Sequence, residues 1–197
     1  MQSTTNPESH KVIFVLGPPG SGKDTLCKSA GSLDQMPGSS HLYCHVSVQN
    51  LVREIELEAS HENAMARDYA RGDTYWDSVL PQLRQKIEST FNECGAETIF
   101  LIDTPPGNES LLGLELLVGK PMKHIILKCE RETAETRFLT RAKYPHHTKE
   151  YFEKVYNGYF DDLVTSRDHY RNMVSVPVDG DREQCLEAFL NALRTSD

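Results

Sequence analysis

No two of the five cysteines form a C-x-x-C pair, no run of Lys and Arg occurs, and no apolar stretch approaches 18 residues. The cysteines, Cys27, Cys44, Cys94, Cys129 and Cys185, are odd in number and widely spaced. That excludes a structural disulfide framework and reads as buried thiols in a reducing, cytoplasmic compartment. Scattered basic residues and a formal charge of -8 argue against a nucleic-acid partner. A local cluster of three or four Arg and Lys can still bind a small phosphorylated ligand within an acidic chain. Without a long apolar stretch there is no membrane span, and the polar residues 1–10 read as a disordered leader rather than a targeting segment. Neither an internal repeat nor a low-complexity linker divides residues 11–197, which are expected to form one domain and a monomer. Hydrophobic residues make up 38% of the chain and charged residues 25%. At this length about 70% of the unfolded chain's surface is buried, so the core needs no metal or disulfide staple.

Short apolar runs suited to strands occur at Val12–Leu16, Leu42–Val46, Ile99–Ile102, Ile125–Leu127 and Val174–Val178. The first, third and fourth are nearly continuous, as strands covered on both faces must be. Between them, apolar residues recur at helical spacing: Trp76, Val79, Leu80, Leu83, Ile87 and Phe91; Phe152, Val155, Tyr156, Tyr159 and Leu163; Leu186, Phe189, Leu190 and Leu193. This alternation predicts an α/β fold, a doubly wound five-stranded parallel sheet with helices on both faces. Pro81 would break a helix interior, so the segment of Trp76 to Phe91 is expected to start at an Asp77 or Ser78 cap, with Pro81 in its first turn.

Directly after the first strand stands Gly17-Pro18-Pro19-Gly20-Ser21-Gly22-Lys23-Asp24-Thr25, followed by an expected helix from Asp24 to about Ala30. A glycine-rich loop between strand and helix wraps its backbone N–H groups around a phosphate, the helix end adds partial positive charge, and Lys23 reaches the outer phosphates. The pattern is that of a P-loop NTPase, and it predicts ATP binding by Gly17, Pro19, Gly20, Ser21, Gly22, Lys23, Asp24 and Thr25. The strict motif has a hydroxyl where this chain has Asp24, which therefore either holds Mg2+, through water or directly, or caps the helix. Asp103 ends the third strand at the carboxyl edge of the sheet, where a carboxylate either organises Mg2+ or starts the Thr104–Gly107 turn.

The chain resembles the adenylate kinase and nucleoside monophosphate kinase family over most of its length. Residues 11–25, KVIFVLGPPGSGKDT, are similar to the family's opening strand and loop. His45-Val46-Ser47-Val48-Gln49-Asn50-Leu51-Val52-Arg53 resembles H-[LIV]-S-T-G-D-L-L-R, Phe100–Gly107 sits where the family has F-L-[IL]-D-G-F-P-R, and Arg137–Arg141 resembles R-L-L-x-R before the lid. The resemblance implies ATP- and Mg2+-dependent phosphoryl transfer to a small phosphorylated acceptor, with a helical acceptor-binding insertion at about 47–76 and a short lid at about 142–151. It implies that Arg53 clamps the acceptor phosphate, beside Ser47, Tyr75 and Asp103, and that Lys23, Asp103, Arg137 and Arg141 serve catalysis. Arg137 and Arg141, four apart on a helix, either converge on one anion or form a solvated face paired with Glu130, Glu132 and Glu135.

The departures from the pattern concern the acceptor and the lid. Gly107 replaces an arginine, Leu111 an amide, Val48 a threonine and Asn50 an aspartate. The lid lacks the S-G-R-x-D-D element; Lys149 or Lys154 would stand in for a lost arginine without reproducing its bidentate fork. Adjacent His146 and His147 do not make a metal pair, and the cysteines are too far apart for a zinc lid. Tyr75 and Trp76 either stack on a nucleobase or, for Trp76 especially, lead the apolar face of their helix. A second class remains open, a nucleotide-binding sensor or partner-binding protein of the same fold with little kinase activity.

Overall fold

The computed structural model describes residues 10–33, 41–58, 73–94, 97–104, 108–141, 147–165, 167–170 and 172–194. In chain order these form β1 (Lys11–Leu16), α1 (Lys23–Gly31), β2 (Leu42–Ser47), α2 (Val48–Glu58), α3 (Asp73–Cys94), β3 (Thr98–Asp103), α4 (Asn108–Val118), β4 (Lys123–Lys128), α5 (Arg131–Arg141), α6 (Lys149–Thr165), a 3-10 turn (Arg167–His169), β5 (Met173–Pro177) and α7 (Arg182–Arg194). The five predicted strands are all present, with ends shifted by no more than two residues. They form one parallel sheet in the order β2-β3-β1-β4-β5. The chain steps out from β1 to the β2 edge, then crosses to the other side of β1 for β4 and β5. Ligands of open α/β sheets bind at the carboxyl ends of the strands beside such a reversal, where the loop after β1 lies.

Alternation along the central strand divides the core in two. Ile13 and Val15 face one side, with Leu26 and Cys27 of α1, Phe152 of α6 and Phe189 of α7. Val12, Phe14 and Leu16 face the other, with Ile55 of α2, Leu83, Ile87 and Phe91 of α3 and Leu114 of α4. Every residue of β3 is buried, which explains why its sequence carries no polar alternation. Lys123, buried at the start of β4, donates to the carbonyl oxygens of Ala192 (3.2 Å) and Leu193 (3.5 Å) in the last turn of α7. A lysine there satisfies orphan helix-end carbonyls and opposes the negative end of the helix dipole.

Two helices differ from the sequence expectation. α3 starts at Asp73 and carries Pro81 in its interior rather than in a first turn capped by Asp77 or Ser78. Pro81 is on the exposed side, where water can solvate the carbonyl that loses its partner. Burial of Leu83, Ile87 and Phe91 on the opposite face offsets a cost of about 3 kcal/mol. α4 has no counterpart in the sequence expectation, because its leucines are spread around the helix rather than along one face. The expected leader, residues 59–72 of the expected insertion, residues 142–146 of the expected lid and Gly107 lie outside the described residues.

Candidate active site

The glycine-rich loop is buried from Gly17 to Pro18 and turns through left-handed backbone at Gly20 (φ 80°) and Gly22 (φ 87°). A Cβ at Gly20 would stand 2.1 Å from the carbonyl oxygen of Ala134. Only glycine lets the loop rest against α5 there. Gly22 is the N-cap of α1 and makes no side-chain cap bond. Asp24 is therefore the second residue inside the helix and not its cap, which removes one of the two readings of that position. The helix begins at Lys23, one residue earlier than expected.

Lys23 folds back over the loop and donates to the carbonyl oxygens of Gly17 and Pro18. Burial pushes its ammonium below the usual lysine range, with Asp103 opposing that shift and Arg141 adding to it. Ser21 is buried, and its Oγ has no hydrogen-bond partner among the described residues. An orphaned hydroxyl in a glycine-rich loop is an unsatisfied site, of the kind that a phosphate oxygen can satisfy. These features fit a polyphosphate.

Asp103 ends β3 directly opposite Ser47 on β2. Its side chain is 7% exposed. Ser47 Oγ donates to Oδ1 at 3.1 Å, and His45 Nε2 lies 2.8 Å from Oδ2. His45 and Ser47, two residues apart, share one face of the strand, so both reach the same carboxylate. The resemblance assigns both Ser47 and Asp103 to the acceptor; in the structure the Ser47 hydroxyl donates to Asp103. His45 carries no role in the sequence reading, although its two-residue spacing from Ser47 is the signal that could have found it.

Asp24 faces this group from α1. It pairs with Lys28 Nζ at 3.0 Å and with Arg141 Nη2 at 3.6 Å. Burial pushes its carboxyl up, but the Lys28 hydrogen bond and the charges of Lys28, His45 and Arg141 prevail and hold it below the usual range. Ligand atoms of Asp24, His45 and Asp103 all lie within 4.8 Å of one another. Two carboxylates and an imidazole so close, ringed by Lys23 and Arg141, form a donor set that fits a divalent cation.

Arg137 and Arg141 do not converge. Arg137 donates through Nη1 to Val178 O (2.6 Å) and through Nη2 to Gly180 O (2.9 Å), strapping α5 to the turn between β5 and α7. Arg141 turns the other way, to Asp24. Four-residue spacing puts both on one helical face, but the nearest acceptors decide where each long side chain ends. Thr25 is exposed on α1, and Arg53 is exposed on α2, the helix that begins immediately after Ser47. Lys149 pairs with Glu135 at 3.1 Å. Val48, the first residue of α2, is buried in the core. The side chains of Tyr75, Trp76 and Leu111, and all of His146, lie outside the described residues, whereas His147 packs its ring 4.7 Å from that of Phe138.

A family model described as an AAA domain matches residues 13–158, which include the loop, Asp103 and α5. The chain belongs to this family. Within it the chain is a divergent, nucleoside monophosphate kinase-like member with a P-loop fold. It is 32% identical over 136 residues to adenylate kinase isoenzyme 5 of Homo sapiens, covering 68% of this chain and 22% of that protein. It is 35% identical over 107 residues to UMP-CMP kinase 2 of Caenorhabditis elegans, covering 52% of this chain and 50% of that protein. The match thus spans about a fifth and a half of these two relatives. The solved structure of TT1252 from Thermus thermophilus shares the fold, with a TM-score of 0.59, 17% identity and coverage of 95% of this chain and 99% of that one. Among the described residues no helix is long and apolar enough to cross a membrane.

Proposed function

We propose that this kinase-like protein transfers a phosphoryl group from ATP to a nucleoside monophosphate or another small phosphorylated acceptor, with Mg2+ as cofactor. One observation carries the reading. The loop with Lys23 and the partnerless Ser21 hydroxyl opens beside the Asp24, His45 and Asp103 cluster, at the carboxyl edge of the sheet.

Phosphoryl transfer demands little covalent chemistry from a protein, so its work is positioning and charge neutralisation. Loop N–H groups and Ser21 Oγ hold phosphate oxygens, and Lys23 exchanges its two carbonyl partners for the outer phosphates. Arg141 leaves Asp24 to meet developing negative charge. Asp24 and Asp103 would hold Mg2+, which when bound neutralises phosphate charge. Ser47 and His45 keep the Asp103 carboxylate oriented. Arg53, on the acceptor side, meets the acceptor phosphate.

The two ion pairs of Asp24 make its role testable. Asp24→Gly is expected to raise the Mg2+ concentration giving half-maximal turnover severalfold and to leave metal-free ATP binding equal or tighter, because a negative charge is removed near the phosphates. An unchanged Mg2+ requirement assigns Asp24 to the Lys28 and Arg141 pairs alone.

By the resemblance, Gly107 and Leu111 take charge and hydrogen-bonding groups out of the acceptor side, while Val48 is part of the core. A site built on hydrogen bonds rejects wrong ligands steeply, whereas an apolar one separates them by about 1–3 kcal/mol. Rates with AMP, dAMP, CMP, UMP and GMP are therefore expected to fall within about 10- to 200-fold of one another. Unphosphorylated nucleosides should not react, and Arg53→Ala should raise the acceptor KM by about 10- to 100-fold, as loss of a charge-assisted contact does. Nucleosides reacting as well as monophosphates, or an unaltered Arg53→Ala, would remove Arg53 from the acceptor site.

A second reading, a nucleotide-binding sensor of the same fold, draws on the arginines. Arg137 is committed to Val178 and Gly180, and Arg141 is paired with Asp24, so neither is a free phosphate clamp. Tight ATP binding with no ADP release across the acceptor panel would favour it.

A further inference from the structure

Of the five thiols, three are buried: Cys27 beneath the phosphate loop, Cys129 at the end of β4 and Cys185 on α7. Cys185 Sγ is directed to Gly180 O at 3.3 Å. The other two face each other. Cys94, the last residue of α3, points its thiol at Cys44 in the middle of β2 with a sulfur–sulfur distance of 2.9 Å, although the two are 50 residues apart in sequence. Both are only part-buried. Neither serves the site, although His45 follows Cys44 directly.

A disulfide bond is about 2.05 Å long, so closing this gap needs a sulfur displacement of about 1 Å, within the reach of χ1 adjustments without rebuilding either element. The end of α3 is also fixed. Thr98 Oγ1 donates to Cys94 O at 2.6 Å across the turn into β3, and β3 pairs with β2 along its length. The two sulfurs are thus held together by the sheet itself.

We propose that Cys44 and Cys94 form a reversible disulfide with a low-molecular-weight disulfide such as oxidised glutathione as the oxidant, tying the end of α3 to β2. The Cys94 thiolate attacks one glutathione sulfur, the glutathione disulfide bond breaks, and one glutathione thiolate leaves. Cys44 then gives up its proton to that thiolate and attacks the Cys94 sulfur, and the second glutathione leaves as a thiolate that takes the proton first lost by Cys94. Two thiols are oxidised by two electrons and one glutathione disulfide is reduced to two glutathione thiols. Burial and the hydrogen bond with Cys94 push the Cys44 thiol up to about 12, and the exchange balances in the same way whichever of the two sulfurs attacks first. The bond encloses His45, Ser47, α2 with Arg53, and α3 in one covalent loop, so the whole acceptor-side segment becomes anchored at both of its roots.

The test is peptide mapping of the folded, full-length protein treated with oxidised glutathione, quenched in acid, then alkylated under denaturing conditions without reductant. The expected product is a Cys44–Cys94 cross-linked peptide, with loss of two hydrogens from the intact mass and Cys27, Cys129 and Cys185 alkylated as thiols. Dithiothreitol should reverse it. The oxidised form should melt about 5–10 °C higher, since the closed loop is long. In Cys44→Ser the reaction should stop at a glutathione adduct on Cys94. A wild-type protein that keeps all five thiols, retains glutathione on Cys94, or cross-links a different pair overturns the proposal. Should Cys44→Ser fail to fold, the wild-type map decides alone.

Discussion

Lys23→Ala is expected to weaken ATP binding by at least 10- to 100-fold and to reduce phosphoryl-transfer turnover by about a further 10²–10³, the largest loss among the substitutions considered. Its ammonium is the one positive side-chain charge in residues 17–25. It lies against the Gly17 and Pro18 carbonyls, where desolvation disfavours its charge. A polyphosphate offers it stronger partners than two neutral carbonyls, which is the source of the binding energy. Truncation removes that partner but leaves the loop path intact, because the path is set by the glycines at 20 and 22 and by the contact of Gly20 with α5. Calorimetry of ATP binding, alongside a thermal melt, separates the two effects. Undiminished ATP affinity in a variant that melts like the wild type would sink the phosphate-loop assignment.

Asp103→Asn should lower Mg2+-dependent turnover by about 10²–10³ while changing metal-free ATP binding less than threefold. The amide preserves shape, and its oxygen still accepts from Ser47. Its NH2 faces His45, and it replaces the carboxylate oxygen 2.8 Å from His45 Nε2, so the stability cost should stay near 1 kcal/mol. What is lost is the negative charge beside Lys23 and opposite Asp24. Initial rates over an Mg2+ series, compared with ATP binding measured in chelator, supply the check. Equal losses in both would make Asp103 a structural turn residue that merely ends β3.

The phosphate loop and the layered α/β fold were legible in the sequence because both depend on local, ordered signals. Continuous apolar runs must be covered on two faces. Glycines at fixed offsets between a strand and a helix admit few backbone paths. The carboxyl-edge position of Asp103 follows from the same logic, since it stands directly after a run that is buried throughout. Even Arg137 and Arg141 could be set on one helical face from their spacing.

Their partners could not. Arg137 reaches the Val178 and Gly180 carbonyls, and Arg141 reaches Asp24, because contacts between residues remote in sequence exist only once the sheet has stacked its strands. The meeting of Asp24, His45 and Asp103 has the same origin, as do the approach of Cys94 to Cys44 and the use of Ser47 as a support for Asp103. Pro81 shows the converse, a local rule against helix overridden by burial of Leu83, Ile87 and Phe91. Sequence alone thus determined the five strands, the helices with a clear apolar period and where the phosphate loop stands, because backbone preference and hydrophobic period act over a few residues. Which side chains face one another was decided by the tertiary structure, because parallel crossovers bring together residues tens of positions apart, and hydrogen bonding and charge then select among the neighbours that result.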